Sequence, residues 1–332
     1  MLKSRVLLPS GATVLMAVSG GQDSLCLARL LLDLRKNWGW RLAVIHCDHG
    51  WRSDSAENAS HVQQLAQQWQ LPCFVEKAKL PPPSEAAARS WRYGICAQVA
   101  SSHGYHHVVT GHTATDRAET VLYNLLRGSG ADGIQALSWQ RPLESAADDS
   151  GDIYVTRPLL GLTRQETGQF CHDLGLPIWY DRSNADLRYR RNRIRQELMP
   201  YLRSHFNPSV ETTLAQTAEI FTAEVAYLEN QAAQLYSAVV QWLDGSWCIQ
   251  RSTFSQAPVA LQRRVVRRLL LQVLPQPPTF EHIEKLAALG AAPNRSQSDP
   301  FPGGLIARVD GDWLKLQPLK PKDSVRGASD PL

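Results

Sequence analysis

The stretch Thr13-Val14-Leu15-Met16-Ala17-Val18-Ser19-Gly20-Gly21-Gln22-Asp23-Ser24 decides the fold. Its first six residues form a short apolar run, which reads as a buried strand. The segment from Leu25 to Leu34 carries leucines at helical spacing. A strand that turns through two glycines into a helix start is a phosphate cradle. The glycines let the backbone turn tightly and expose its NH groups, and the helix start adds partial positive charge. Ser19 and Ser24 can add hydroxyl donors, and Asp23 offers a carboxylate to a magnesium ion. An ordinary glycine turn is the competing reading, and the flanking serines, the aspartate and the strand-to-helix context weigh against it. The Gly-Lys-Ser/Thr ending of the usual nucleotide-triphosphate loop is missing, so lysine-assisted transfer of a terminal phosphate is not implied.

Around this loop the chain alternates strand and helix. Strands are predicted near 13-18, 41-47, 72-77, 106-110 and 153-157, and helices near 23-36, 54-69, 85-103 and 116-127. Thr163-Arg164-Gln165-Glu166 is a capping box that opens a further helix. The pattern gives an α/β class with a doubly wound, mostly parallel sheet, which binds ligands at the carboxyl ends of its strands. The apolar-poor segment Arg141 to Asp152 reads as a surface loop. From Pro208 to about Leu243 the spacing is that of one long helix, and the domain boundary is placed just before it. A short strand at 247-250, helices near 257-274 and 279-289, and a hairpin around Asp310-Gly311 complete a smaller, mainly helical second domain. The organisation expected is a catalytic domain at 1-207, a second domain at 208-318 and a disordered tail at 319-332.

With 332 residues there is room for both domains and a sizeable core, and 43% hydrophobic against 20% charged residues excludes the disordered and fibrous classes. Apolar runs such as Leu25 to Leu34 are broken, here by Arg29 and Asp33, so no membrane span is expected. Lys3 and Arg5 are followed by Pro9-Ser10-Gly11, which does not read as a signal peptide, and a cytoplasmic location is expected. The six cysteines form no CxxC pair, which favours reduced thiols over zinc ligands or disulfides.

Four further segments carry chemistry. His46-Cys47-Asp48-His49-Gly50-Trp51-Arg52 ends the second strand beside the glycine loop. The helix opened by Ser84-Glu85 places Arg89, Arg92 and Tyr93 near one another, and guanidinium forks suit a carboxylate or phosphate. After the fourth strand come Thr110-Gly111-His112-Thr113-Ala114-Thr115-Asp116-Arg117-Ala118-Glu119-Thr120 and then Arg127-Gly128-Ser129-Gly130. Asp116 and Glu119 share a helix face, where paired carboxylates can bind magnesium, orient an amine or take its proton. Finally, Tyr180-Asp181-Arg182-Ser183-Asn184 leads into Arg188, Tyr189, Arg190, Arg191, Asn192, Arg193 and Arg195. Such a run is either a solvated helix face or an RNA-contacting one, and arginine density around an aromatic fits phosphate tracking and base stacking. A second basic cluster at Gln262-Arg263-Arg264, Arg267 and Arg268 lies on a helix whose Val265, Val266, Leu269 and Leu270 are expected to face the core.

Taken in order, these segments resemble the tRNA(Ile)-lysidine synthetases, a branch of the PP-loop ATP pyrophosphatases with an adenine nucleotide alpha hydrolase-like fold. Ser19 to Ser24 is similar to their SGGxDS loop. His46 to Arg52 is similar to HxDHGxR, with Cys47 at a position where small apolar residues are usual. Glu85 to Tyr93 has the E-AR-xx-RY spacing. Gly111 to Gly130 resembles AHHxDDQxETxLxxxxRGSG, with Thr113 in place of the second histidine and Thr115 in place of the first aspartate. Asp181 to Pro200 resembles D-x-SN followed by RNxxR and a proline.

The resemblance implies ATP and Mg2+ as cofactors, an isoleucine tRNA with a CAU anticodon and free L-lysine as partners, and no membrane; a homodimer is compatible with it. It implies adenylation of the C2 carbonyl oxygen of the wobble cytidine and displacement of AMP by the ε-amine of lysine. Carried over residue by residue, Ser19, Gly20, Gly21, Gln22, Asp23, Ser24, His46 and Asp48 would bind nucleotide, with Asp23 also holding the metal. Asp23, Arg89, His112, Asp116 and Glu119 would be catalytic. His49, Arg52, Arg127, Arg188, Arg191, Asn192 and Arg195 would contact tRNA or substrate. Which carboxylate pairs the lysine ammonium and which takes its proton stays open, with Glu119 favoured. Three rivals have less support: a thiolase using cluster or persulfide sulfur wants paired cysteines, an amide-forming synthetase wants an ammonia source, and a nonenzymatic tRNA binder has no need of an intact Ser19-Gly20-Gly21 and Asp23.

Overall fold

The fold is that of a computed structural model, which describes residues 5–51, 53–143, 152–180 and 186–318. Arg52, Asp181 to Asn184, most of the loop expected at Arg141 to Asp152 and the tail 319-332 lie outside the described residues. The described residues form two compact units divided after Thr222.

In the first unit, β1 (Thr13–Ala17), β2 (Arg41–Asp48), β3 (Cys73–Lys77), β4 (His107–Thr110), β5 (Gln140–Pro142) and β6 (Tyr154–Thr156) form one sheet in the order β3-β2-β1-β4-β6-β5. All neighbours are parallel except the β5–β6 pair at the edge. The helices between them are α1 (Gln22–Trp38), α2 (Ser55–Gln68), α3 (Glu85–His103), α4 (Ala114–Leu126) and α5 (Arg164–Asp173). Because strand side chains alternate faces, β1 sends Val14 and Met16 to one core, shared with Leu25, Val62 and Cys171 of α1, α2 and α5. Its Leu15 enters a second core on the opposite face with Cys96, Ala97 and Ala100 of α3. Both faces are covered, which is why β1 reads as a continuous apolar run and the central Val108 and Val109 of β4 are both buried. The order reverses at β1, since β2 and β3 are added on one side and β4 on the other. The carboxyl ends of β1 and β4 therefore flank a crevice.

Beyond α5 the chain passes through a helical turn at Arg190–Arg193, a π-helical turn at Ile194–Leu198 and a short helix at Met199–His205. The long helix α6 follows at Val210–Val239. In the second unit β7 (Val240–Leu243), β8 (Ser246–Gln250), β9 (Leu305–Asp310) and β10 (Trp313–Pro318) form an antiparallel sheet in the order β7-β8-β10-β9. With α7 (Val259–Val273) and α8 (Phe280–Ala288) it encloses its own core. Val265, Val266, Leu269 and Leu270 are fully buried there, as the spacing of the basic helix requires. The expected hairpin forms at β9 and β10, but β5 and β7 were not legible, and β7 takes the last residues assigned to the long helix. All six cysteines are free thiols. Among the described residues no helix is long and apolar enough to cross a membrane.

Candidate active site

The glycine loop sits at the carboxyl end of β1, between that strand and α1. Gly20 has φ +86°, and a Cβ there would stand 2.7 Å from Asn58 Oδ1 and 3.2 Å from Trp179 Cβ, so both conformation and space call for glycine. The loop is braced internally. The Ser24 hydroxyl donates to the Gly21 carbonyl at 2.8 Å and accepts from the Ser19 NH at 3.2 Å. Asn58 Nδ2 donates to the Ser19 carbonyl at 3.1 Å, and the Trp179 NH donates to that of Gly20 at 2.9 Å. Among the described residues no side chain caps the start of α1. Its first-turn NH groups are thus left for an anion, as in a phosphate site. Asn58 Oδ1 and Trp179 Nε1, on the two residues that crowd Gly20, are buried with no hydrogen-bond partner among the described residues. A polar cradle of this kind fits a nucleotide phosphate chain.

Asp23 opens α1 and is clamped by the start of α5. Thr167 Oγ1 donates to Asp23 Oδ1 at 2.5 Å and Arg164 Nη1 to Oδ2 at 2.9 Å, while Gln22 Nε2 reaches the Arg164 carbonyl at 2.6 Å. Burial pushes the Asp23 carboxyl above its ordinary range, Arg164 and Thr167 oppose this, and the nearby Asp116 adds to the rise. No cluster of three metal-ligating side chains exists among the described residues. One or two carboxylates are nonetheless what magnesium takes from a protein when phosphates and water complete its shell. The Asp23 carboxylate, at the start of α1 beside the glycine loop, fits that role.

The neighbouring strand ends complete the rim. His46 is buried, its Nδ1 2.8 Å from the Val18 carbonyl, and Asp48 is buried with Oδ1 accepting from the Gly50 NH at 2.8 Å. Both side chains thus fix the turn of the chain at the sheet edge. His49 stacks on Trp51 at 5.3 Å and meets Trp91 edge-on at 5.9 Å. On α3, Arg89 lies 5.4 Å from the Tyr93 ring centre. Burial lowers its pKa, Tyr93 offsets this in part, and Arg157, Arg92 and Arg191 push further down, which marks a seat for an anion. His112 follows β4, with Nδ1 2.8 Å from Thr110 Oγ1.

The densest charge lies where α4 meets the arginine run. Thr113 caps α4, its NH and hydroxyl both donating to Asp116 Oδ2 at 2.9 Å. Asp116 Oδ1 accepts from Arg195 Nη2 at 3.1 Å and Arg191 Nη2 at 3.3 Å. Glu119, fully buried, accepts a fork from Arg195, Nε to Oε1 at 2.6 Å and Nη2 to Oε2 at 2.8 Å, and Arg191 Nε at 3.3 Å. Burial pushes Asp116 up, but the neighbouring His112, then Arg191 and Arg195 and the Thr113 NH, hold its carboxyl below the usual range. The structure thus brings Ser19 to Ser24, Arg89, His112, Asp116, Glu119, Arg191 and Arg195 to one rim. Arg127 sits at the far end of α4 against Tyr123, and Arg188 pairs with Asp186. Asn192 Nδ2 donates to the Asp186 carbonyl at 2.9 Å.

Residues 3–202 match the PP-loop domain family and residues 250–313 the TilS substrate binding domain family. The chain is 52% identical to the tRNA(Ile)-lysidine synthase of a Nostoc species over 95% of this chain and 94% of that protein. It is also 52% identical to that of a Synechocystis species, over 92% of each. The chain belongs to the tRNA(Ile)-lysidine synthase family. A chloroplastic tRNA(Ile)-lysidine synthase from Zygnema circumcarinatum is 36% identical over 82% of this chain and 74% of its own length. Among solved structures, the U34-tRNA thiolase NcsA from Methanococcus maripaludis shares the fold, with TM-score 0.54, 16% identity and coverage of 65% of this chain and 74% of that one.

As a lysidine synthase the chain is an ATP-dependent ligase, and its departures from the family pattern have structural answers. Thr113 serves as the cap of α4. Thr115 donates to Glu211 Oε2 at 2.5 Å and accepts from the Arg164 NH at 3.0 Å. Arg117, where the pattern carries glutamine, is 1% exposed and donates to Glu219 Oε2 at 2.7 Å. Glu219 also accepts from Trp139 Nε1 and Arg5 Nη1, each at 2.7 Å. This synthase therefore ties α4 to the first turns of α6. The residues that sequence reading missed are Arg164, Thr167, Glu211 and Glu219. Only the capping box at Thr163 hinted at the first two; the acidic residues of α6 gave no signal.

Proposed function

We propose that this lysidine synthase joins free L-lysine to C2 of the wobble cytidine in an isoleucine tRNA with a CAU anticodon, consuming ATP and releasing AMP and pyrophosphate. The carrying observation is the meeting, on one sheet edge, of an uncapped glycine loop with a carboxylate pair that already accommodates two guanidinium groups. The loop NH groups of residues 20–24 hold the phosphates. Asp23 would hold Mg2+, which would supply positive charge against the departing pyrophosphate. The cytidine C2 oxygen attacks the α-phosphorus and pyrophosphate leaves. Once that oxygen is esterified to AMP it becomes a good leaving group, and the lysine ε-amine attacks C2. Asp116 and Glu119 receive the amine as a cation and accept the proton it must lose. Arg89 and the neutral His112 orient the cytidine, which is easily unstacked in an anticodon loop. Residues 1-207 form the catalytic domain and 208-318 the tRNA-binding domain in this reading.

The test combines purified protein, unmodified isoleucine tRNA transcript, ATP, magnesium and labelled lysine. Label is expected to enter tRNA with stoichiometric pyrophosphate release. Sulfur or ammonia dependence without lysine uptake would sink the reading. Asp23→Ala is expected to lower the rate about 10²-fold or more with tRNA affinity kept; full lysine incorporation by that variant would refute the role given to Asp23.

A further inference from the structure

Beside Glu119, within the first unit, lies a cavity of about 310 Å³ lined by Thr115, Glu119, Arg164, Arg195, Arg203 and Glu211. Its two carboxylates differ in how much of their hydrogen-bonding capacity is taken. A carboxylate offers about four acceptor positions. Glu119 has filled three with guanidinium NH groups. Glu211, although only 8% exposed, accepts two bonds from the described residues, from Thr115 Oγ1 and from Arg203 Nη2. Glu211 therefore presents a buried, oriented and unsaturated carboxylate to the cavity. Arg203 already pairs with one oxygen of this buried carboxylate, and the acceptor positions left over are open to a second cationic donor.

Position 115 explains why the acid comes from α6. The threonine there stands where the family pattern has an aspartate, and its hydroxyl fixes the Glu211 carboxylate at 2.5 Å. The negative charge absent from position 115 is thus supplied from a residue 96 positions later. Met199 also lines the cavity and gives it an apolar surface. Carboxylate, guanidinium and apolar wall together match the α-ammonium, α-carboxylate and methylene chain of a free amino acid.

We propose that Glu211 determines specificity in the amine half-reaction by pairing the α-ammonium group of the free amino acid. Arg203 or Arg164 takes the α-carboxylate, and the far amine is left directed toward Asp116 and Glu119. This assignment rests on the lysine reading given above.

The experiment uses the full chain with tRNA transcript, ATP and magnesium, and compares L-lysine with 6-aminohexanoate, which keeps the reacting amine and the carboxylate but lacks the α-ammonium. Wild type is expected to show a KM about 10- to 100-fold higher for 6-aminohexanoate, the cost of one charged hydrogen bond. In Glu211→Gln the KM for lysine rises by about that factor, with KM for ATP and for 6-aminohexanoate unchanged, so discrimination collapses. Glu211→Asp restores part of it. Should Glu211→Gln not accumulate as folded protein, Thr115→Val decides instead: it frees the carboxylate from its fixed position and is also expected to lower discrimination. A wild-type enzyme that incorporates no lysine overturns the functional reading and this assignment with it. Lysine incorporation with discrimination intact in the folded variant overturns this assignment alone.

Discussion

His112 shows how position sets chemistry at the scale of one residue. Burial holds its imidazole down to about 3, and Arg157, Arg191 and Arg89 push the same way against Asp116. The ring is therefore neutral at physiological pH and can exchange hydrogen bonds with a cytosine without adding charge. In the unfolded chain it titrates near the ordinary 6.5. As pH falls below that value the unfolded state binds a proton that the folded state does not, so stability falls with pH and continues to fall toward 3. Wild type is expected to lose Tm between pH 7 and 5 more steeply than His112→Gln. Parallel Tm curves would show that the ring protonates equally well in the fold. The same neighbourhood explains why Arg191 and Arg195, read from sequence as RNA contacts, turn inward: two desolvated carboxylates demand cations, and residues four apart share one helix face.

Among the elements, the three helix starts at the site divide by task. Helices α4 and α5 carry full capping boxes, Thr113 with Asp116 and Thr163 with Glu166. Helix α1, whose start faces the glycine loop, has no side-chain cap among the described residues. A capping oxygen would compete with the very anion that the loop is built to bind. The box on α5 also has a distant effect, because Arg164 and Thr167 in its first turns hold Asp23. Thr163→Ala is expected to cost about 1 kcal/mol in denaturant unfolding and to raise KM for ATP while leaving tRNA affinity unchanged. An unchanged KM for ATP would mean that α5 does not position Asp23.

For the whole molecule, a net charge of +4 says little about RNA binding, and the structure separates the cations further. Arg263 pairs with Glu284 and Arg264 with Glu229, while Arg268 lies over Tyr236. Arg188 and Arg193 keep 88% and 62% of their side chains exposed despite pairing with Asp186 and Glu197. We propose these outward arginines as phosphate contacts, since Arg191 and Arg195 are engaged by Asp116 and Glu119. The affinity for tRNA is expected to fall steeply with salt. Replacing Arg188 and Arg193 by alanine is expected to flatten the slope of log affinity against log salt by about 2. A slope unchanged in the double variant would assign the phosphate contacts elsewhere.

Residues 13 to 24 by themselves specified a strand, a phosphate-binding turn and a helix, because alternation, glycine and helical spacing are local signals that neighbours reinforce. The ordered motifs through residue 130 likewise marked His112, Asp116 and Glu119. Three-residue edge strands such as β5, with a proline and no periodicity to read, escaped notice. Partnerships escaped as well. That Asp23 is held from residues 164 and 167, that Glu119 is forked by Arg195, and that Thr115 borrows a carboxylate from Glu211 are long-range facts. They depend on which buried charges meet, and burial exists only once the sheet and its helices have packed.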